Sequence, residues 1–430
     1  MTTTETLSPR ADVPHQRRRY GLFAAAVGNA LEYFDWTTYA VFALVIAPLF
    51  FPDRDPAAAV LATLAIFAVG FFLRPVGGLL LGRYADRHGR APALALSVLL
   101  MSGGSLIIGL APDYGRVHLL APVLLLVARA MQGLSAGGEA AAMTTYIVER
   151  APAGRRGVHA SVIYASTTLG VLAATLTALV LRQTLSPADL AAWGWRVPFL
   201  LGAVAGAFGF VLRRRLAETP VFQEQADRPA PSTADAWRGT GKALAQVVGL
   251  SAGATVTFYT FSVYLPSYAQ RVHRVPAAEA LWASVAAHLV FVAALPLLGL
   301  LSRRWGRRAL LITFGVGAAV LTPVLLRCLT SSAWSLFLVM AVALVFFGCG
   351  AVTMPVAIVD ILPAAVRSTA IGVVYSLTVA VAGGSAPYLI EYLAAHGHEA
   401  WFAGYAALLC LLTAVTAVTL RRPAGGPPQH

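Results

Sequence analysis

Charged side chains are scarce in this chain. Asp, Glu, Lys and Arg make up 12% of its 430 residues, against roughly 25% in soluble domains. With 58% hydrophobic residues, that scarcity excludes a water-soluble globular protein and points to a chain solvated by lipid. Lysine is nearly absent: of 32 basic residues only Lys242 is not arginine, a bias of genome composition rather than of chemistry. The three cysteines, Cys328, Cys349 and Cys410, lie in or beside apolar runs without C-x-x-C spacing. They read as small core residues and exclude a disulfide framework or thiolate metal site. Zinc-ligand spacings, a P-loop and G-x-S-x-G are all missing. The sequence therefore offers no catalytic arrangement, metal site or cofactor site and no means of using ATP. The chain is not read as an enzyme.

What is abundant is apolar sequence in long runs. Twelve segments reach the ~20 residues that a membrane-crossing helix needs: 20–50, 58–81, 92–112, 117–148, 158–181, 194–212, 243–269, 280–301, 309–327, 333–359, 367–390 and 400–420. Arg17, Arg18 and Arg19 before the first run imitate a signal peptide. That run is too long and carries two acids, and eleven more spans follow it, so cleavage is not expected. With the N-terminus inside, 23 basic residues fall in cytoplasmic segments and 7 in outer loops, while Arg74 and Arg129 lie within spans. By the positive-inside rule both termini are cytoplasmic in a multi-pass plasma-membrane protein, of a bacterial inner membrane. The same asymmetry accounts for the net charge of +13 without nucleic acid as a partner. Partners are the lipid bilayer and small solutes.

The one sizeable polar linker divides the spans six and six. This gives a cytoplasmic tail at 1–19, an N-terminal half at 20–212, a cytoplasmic linker at 213–241, a C-terminal half at 242–420 and a tail at 421–430. The halves repeat. Gly82-x3-Asp86-Arg87-x-Gly89-Arg90 after span two returns 217 residues later as Gly299-x3-Arg303-Arg304-x-Gly306-Arg307. Glu149-x2-Pro152-x3-Arg156 after span four returns 211 residues later as Asp360-x2-Pro363-x3-Arg367 after span ten. The fold class expected is an all-α membrane protein of twelve transmembrane helices in two pseudo-symmetric six-helix halves, with substrate between them near the midplane.

Charges inside spans carry the functional signal. Glu32 and Asp35, three residues apart in span one, share a helix face, and each costs roughly 2.5–3.5 kcal/mol at bilayer depth. That face looks at protein or water, and both acids are candidates for proton coupling, with Glu139 and His288 beside them. Glu139 lies ten residues beyond Arg129, about 15 Å along a helix, so the two do not simply neutralise each other. Arg129 is the first candidate for a substrate carboxylate and Arg74 the second, because a guanidinium fork matches a carboxylate. Pairing of these charges with other helices is the alternative. Tyr259 and Tyr264 are polar groups of the second half at the same depth, candidates for the site or for packing, and His288 is either titratable or a satisfied core histidine. Gly133-x3-Gly137-Gly138 reads as close helix packing, and Gly383, Gly384 and Pro387 as a break in span eleven.

Gly28-Asn29-x2-Glu32-x2-Asp35-x3-Tyr39, Arg74-Pro75-x-Gly77-Gly78, the Gly82–Arg90 loop, Arg129-x2-Gln132-Gly133-x3-Gly137-Gly138-Glu139, Trp193-x-Trp195-Arg196-x-Pro198-Phe199 and Glu218-Thr219-Pro220-x-Phe222 occur in this order. Together they resemble the major facilitator superfamily and, over nearly the whole chain, its metabolite–proton symporter family. Phe258-Tyr259-Thr260, Tyr264 and Gly383-Gly384-Ser385 look most like the alpha-ketoglutarate permeases of that family. The resemblance adds Asn29, Tyr39 and Gln132 to the substrate-site candidates. It implies a cytoplasmic latch of Gly82, Asp86, Arg87, Gly89 and Arg90, joined by Glu149, Arg156, Asp360 and Arg367. Arg303 stands where the second copy of the latch would have its acid. The function it implies is proton-coupled uptake of a small organic acid, a di- or oxo-carboxylate, by a monomer through alternating access. A proton-coupled exporter, a betaine or proline symporter and a transporter-like sensor are the competing readings. Span five lacks the glycine- and proline-rich pattern of exporters, and the tail from Arg421 is too short for an output domain.

Overall fold

The computed structural model describes residues 15–52, 54–88, 90–149, 156–213, 238–363 and 367–420, and no strand occurs among them. Span one is His15–Phe50, span two Pro56–Phe72 continued by Arg74–His88, span three Arg90–Leu110, span four Leu120–Glu149, span five Arg156–Thr184 and span six Val197–Arg213. Span seven runs Gly241–Thr257, Phe258–Tyr264 and Leu265–Val272; span eight is Ala277–Trp305 and span nine Arg307–Arg327. Span ten is Ala333–Ala351 and Met354–Ile361, span eleven runs in pieces from Arg367–Ala370 to Ala386–Ala395, and span twelve is Glu399–Thr419. Eleven described helices are long and apolar enough to cross a membrane, and span three adds the shorter apolar stretch Ala95–Leu110. A helix is the economical solution in lipid, because it satisfies every backbone group within its own segment.

Spans one and five, three and six, and three and four pack closely within the first half; nine and twelve, eight and ten, and seven and twelve do so within the second. Across the halves, span two faces span eleven and span five faces span eight. Shifting each partner by six spans exchanges these two pairs, as a duplicated unit related by a two-fold axis requires. Within the first half, Cβ atoms added at Gly133 and Gly137 would fall onto the carbonyls of Gly70 and Arg74. Spans two and four thus meet backbone to backbone, the close packing expected of that glycine run.

The breaks cluster in the second half. Phe258–Tyr264, Ile371–Tyr375 and Val379–Gly384 are π-helical. The last covers Gly383 and Gly384, whose missing Cβ atoms make room for Tyr259 and Phe71 respectively. Cys349 and Cys410 are buried as expected; Cys328 is exposed, because it caps the end of span nine rather than lying inside it.

Candidate functional site

A cavity of about 20 Å³, room for a water molecule, lies between the halves. Tyr33, Arg74 and Tyr164 line it from the first half, and Thr255, Phe258, Tyr259, Phe347, Met354, Tyr375 and Val379 are among its second-half lining. Four of the latter, Phe258, Tyr259, Tyr375 and Val379, stand on the π-helical stretches. A π turn widens the helix and turns out side chains that α-helical geometry would leave against a neighbour. Arg74, which lines the cavity, is the first residue of the second helical segment of span two, just after Leu73 ends the first.

Among the described residues Arg74 is the only cationic side chain lining the cavity, and its Nη2 donates to Glu32 Oε1 at 3.0 Å with both side chains at most 4% exposed. Its Nε and Nη1 have no acceptor among the described residues. The guanidinium also lies 5.6 Å from the Phe71 ring and 6.0 Å from Trp36. Removing one member of such a buried pair costs about 3–5 kcal/mol, because the other charge is stranded. Glu32 is therefore Arg74's counter-ion in this structure.

Arg129 does not reach the cavity. It is fully buried, with its guanidinium 4.0 Å from the Tyr39 ring, 4.8 Å from Trp36 and 5.4 Å from Phe67. Its Nη1 donates to Gln132 Oε1 at 2.7 Å. Contacts of this kind are worth about 0.5–2 kcal/mol each in a desolvated setting, and a ligand would have to displace them. Sequence put Arg129 before Arg74 as the candidate for a substrate carboxylate; of the two, Arg74 is the one that lines the cavity.

Asp35 sits beside Arg129 in a separate polar cluster. Its Oδ2 is in short contact with Ser105 Oγ and accepts from Gln132 Nε2 at 2.9 Å; Oδ1 has no partner among the described residues. Ser105 Oγ also lies 3.1 Å from the carbonyl of Met101 and accepts from Gln132 Nε2 at 2.9 Å. A serine hydroxyl carries one proton. If it goes to Asp35, the carboxylate is ionised and Met101 loses its bond. If it goes to Met101, Ser105 has none left for Asp35.

The remaining candidates divide. Tyr259 is in the cavity wall, edge-on to Phe71 at 4.9 Å. Asn29 instead ties span one to span five through Ile163 O at 3.1 Å, Ser166 Oγ at 2.9 Å and Thr167 Oγ1 at 2.8 Å. Tyr39 donates to Thr63 O at 3.1 Å while its ring supports Arg129, and Gln132 links Arg129 to Asp35. Glu139 is buried on span four and is not part of the cavity lining. His288 is fully buried, with Nδ1 2.8 Å from Ser284 O and Nε2 2.7 Å from Ser262 Oγ. A carbonyl only accepts, so Nδ1 carries a proton; in the neutral ring Nε2 then accepts from the Ser262 hydroxyl, and both nitrogens have a partner.

At one end of the molecule Asp360 bridges the halves, bonding Arg156 at 3.1 Å and forming a second, short ion pair with Arg307 of its own half. Arg367 donates to Leu362 O at 3.1 Å. Gly82 lies in span two with open space around it. Gly89 lies outside the described residues, as do the side chains of Asp86, Arg87, Arg90 and Glu149. Arg196 holds Ala192 O at 2.6 Å and Ala111 O at 3.0 Å, a structural role.

Sequence reading missed Glu391. It is 1% exposed on span eleven, accepts from Tyr264 OH at 3.0 Å and pairs with Arg271. The signal was the one that singled out Glu32, a carboxylate in an apolar run, but the predicted span stopped at residue 390. Tyr264 is committed to this pair and is not in the cavity lining.

Two family models match the chain: Sugar (and other) transporter over residues 21–246, and Major Facilitator Superfamily over residues 275–430. The alpha-ketoglutarate permease of Escherichia coli K12 is 37% identical over 413 residues, 96% of this chain and 95% of that one. A citrate-proton symporter of Klebsiella pneumoniae is 33% identical over 90% of this chain and 88% of its own length. A proline/betaine transporter of Escherichia coli K12 is 31% identical over 95% and 84%. Among solved structures, the proton:xylose symporter XylE bound to 6-bromo-6-deoxy-D-glucose superposes with a TM-score of 0.73 at 18% identity, covering 94% of this chain and 95% of that one. At that identity the likeness concerns the fold.

Proposed function

Since this chain belongs to the major facilitator superfamily, in its metabolite–proton symporter branch, we propose that it takes up a small organic acid together with a proton. The observation that carries this reading is Arg74, a guanidinium in the cavity wall whose present counter-ion, Glu32, is a carboxylate of the protein itself. A substrate carboxylate fits the same fork. Tyr33, Tyr164, Tyr259 and Tyr375 surround it, so further oxygens of a di- or oxo-carboxylate would meet phenol groups rather than a second cation. Asp35 holds the coupled proton in the cluster with Ser105 and Gln132, and Arg129, one side chain further on, is the charge that Asp35 turns to when ionised.

The two termini and the Asp360 end face the cytoplasm in this reading, following the arginine asymmetry. Substrate enters when the Arg271 end opens, the halves rock closed over Arg74, and release follows when the Arg156–Asp360 bridge parts. The aromatic lining also suits a quaternary ammonium, and a relative transports proline and betaine, so a zwitterion is the second reading.

Reconstituted protein should be tested with labelled 2-oxo acids, di- and tricarboxylates, glycine betaine and proline, with and without an inward proton gradient. A carboxylate that accumulates only with the gradient is the expected result. Accumulation of betaine alone would replace the substrate class, and carboxylate uptake indifferent to the gradient would remove proton coupling.

A further inference from the structure

Glu391 is a buried charge that substrate and proton do not explain. It lies far along span eleven, in Ala386–Ala395, and grips span seven at two points. Tyr264, the first, is the last residue of the π-helical stretch Phe258–Tyr264; Arg271, the second, lies in the following segment Leu265–Val272. Between them stands Pro266, which has no N–H to donate to the preceding turn and so loosens the helix at that joint. The segment beyond the joint reaches across the halves: Ser267 Oγ donates to Ala40 O of span one at 3.1 Å, with Ser267 1% exposed.

We propose that Leu265–Val272 is a lid over the substrate pathway at the Arg271 end, and that Glu391 is the positioning residue that clasps it shut. Glu391 braces both sides of the proline joint against span eleven, so the lid cannot swing from span one while both grips hold. This rests on the fold moving between two access states and not on the nature of the substrate. It makes Glu391 and Arg271 a lock within the second half, distinct from the Arg156–Asp360 bridge at the opposite end.

The test uses full-length protein with Cys328, Cys349 and Cys410 replaced by serine and a Ser267→Cys reporter, labelled in cells by a membrane-impermeant maleimide. Glu391→Gln and Arg271→Gln should each raise labelling by about fivefold or more, and the charge exchange Glu391→Arg with Arg271→Glu should bring it back down. A second reporter, Ser302→Cys, touches Gly157 across the halves at the opposite end; in inside-out vesicles it should label less in the same variants. Parent-like labelling at Ser267→Cys would overturn the proposal, and so would increased labelling at both ends, which marks general loosening. If the glutamine variants fail to reach the membrane, Tyr264→Phe removes one grip only; no rise in that variant is equally fatal. Labelling needs no substrate, so failure of the carboxylate assignment leaves this result readable.

Discussion

The substitution Asp35→Asn puts the proton assignment to a direct trial. The amide side chain would present its carbonyl oxygen where Oδ2 now accepts from Gln132 and contacts Ser105, keeping both bonds. Its NH2 group would replace Oδ1, which already lacks a partner, so one unpartnered atom is exchanged for another and the stability cost should stay near 1 kcal/mol. What disappears is the proton. One pH unit is worth 1.36 kcal/mol per proton, so a one-proton symporter accumulates substrate about tenfold per unit of gradient. Asp35→Asn should hold the internal-to-external ratio at about one under an inward gradient of one unit, while exchange of internal for external substrate continues. The assay is a paired measurement in proteoliposomes of equal protein content, gradient-driven uptake against counterflow. Accumulation at the parent ratio by folded Asp35→Asn would refute the assignment of the coupled proton to Asp35.

Other variants separate the remaining groups. Glu32→Gln removes the anion that competes for Arg74, and should tighten substrate binding, as measured by equilibrium binding to purified protein. Tyr259→Phe should weaken binding about three- to tenfold, the size of one hydrogen bond, with the thermal midpoint nearly unchanged. Arg129→Gln should do the reverse, lowering the unfolding midpoint through a loss of about 2–4 kcal/mol of ring contacts and hydrogen bonding while folded protein binds within a few-fold of the parent. Phosphatase fusions should be active at Asp55 and Ser186 and silent at Arg90 and Asp235; inversion at two of these sites would overturn the topology.

Hydropathy and the two repeated motifs carried the span count and the six-plus-six plan, because both depend on composition over ~20 residues, which a sequence displays directly. The importance of Glu32, Asp35 and Arg74 was legible for the same reason: a charge in an apolar run must be accounted for. The split between Arg74 and Arg129 was not, since it turns on which guanidinium meets Trp36, Tyr39 and Phe67, residues of spans one and two that only packing brings to span four. The partners of His288, Ser262 and Ser284, come from span seven and from the preceding turn of its own helix, and only the fold shows them on its two nitrogens. Glu391 was hidden by the edge of a hydropathy segment. The π-helical stretches were not read from the sequence, because they lie in spans whose apolar residues cover the whole helix and leave no stripe whose shift would show.

Those widened turns make the two halves mechanically unlike. Each holds one residue more than an α turn, and migration of the surplus by a few positions exchanges only local backbone bonds. In passing, the surplus rotates the side chains it crosses by about 100°, one residue's share of a helical turn. Phe258, Tyr259, Tyr375 and Val379 could be turned toward or away from Arg74 in this way while both ends of spans seven and eleven stay fixed in the bilayer. Spans two and four, locked through Gly133 and Gly137, have no such slack. The second half would then work as the adjustable jaw of a vice and the first as its fixed one, with the grip set by sliding dislocations.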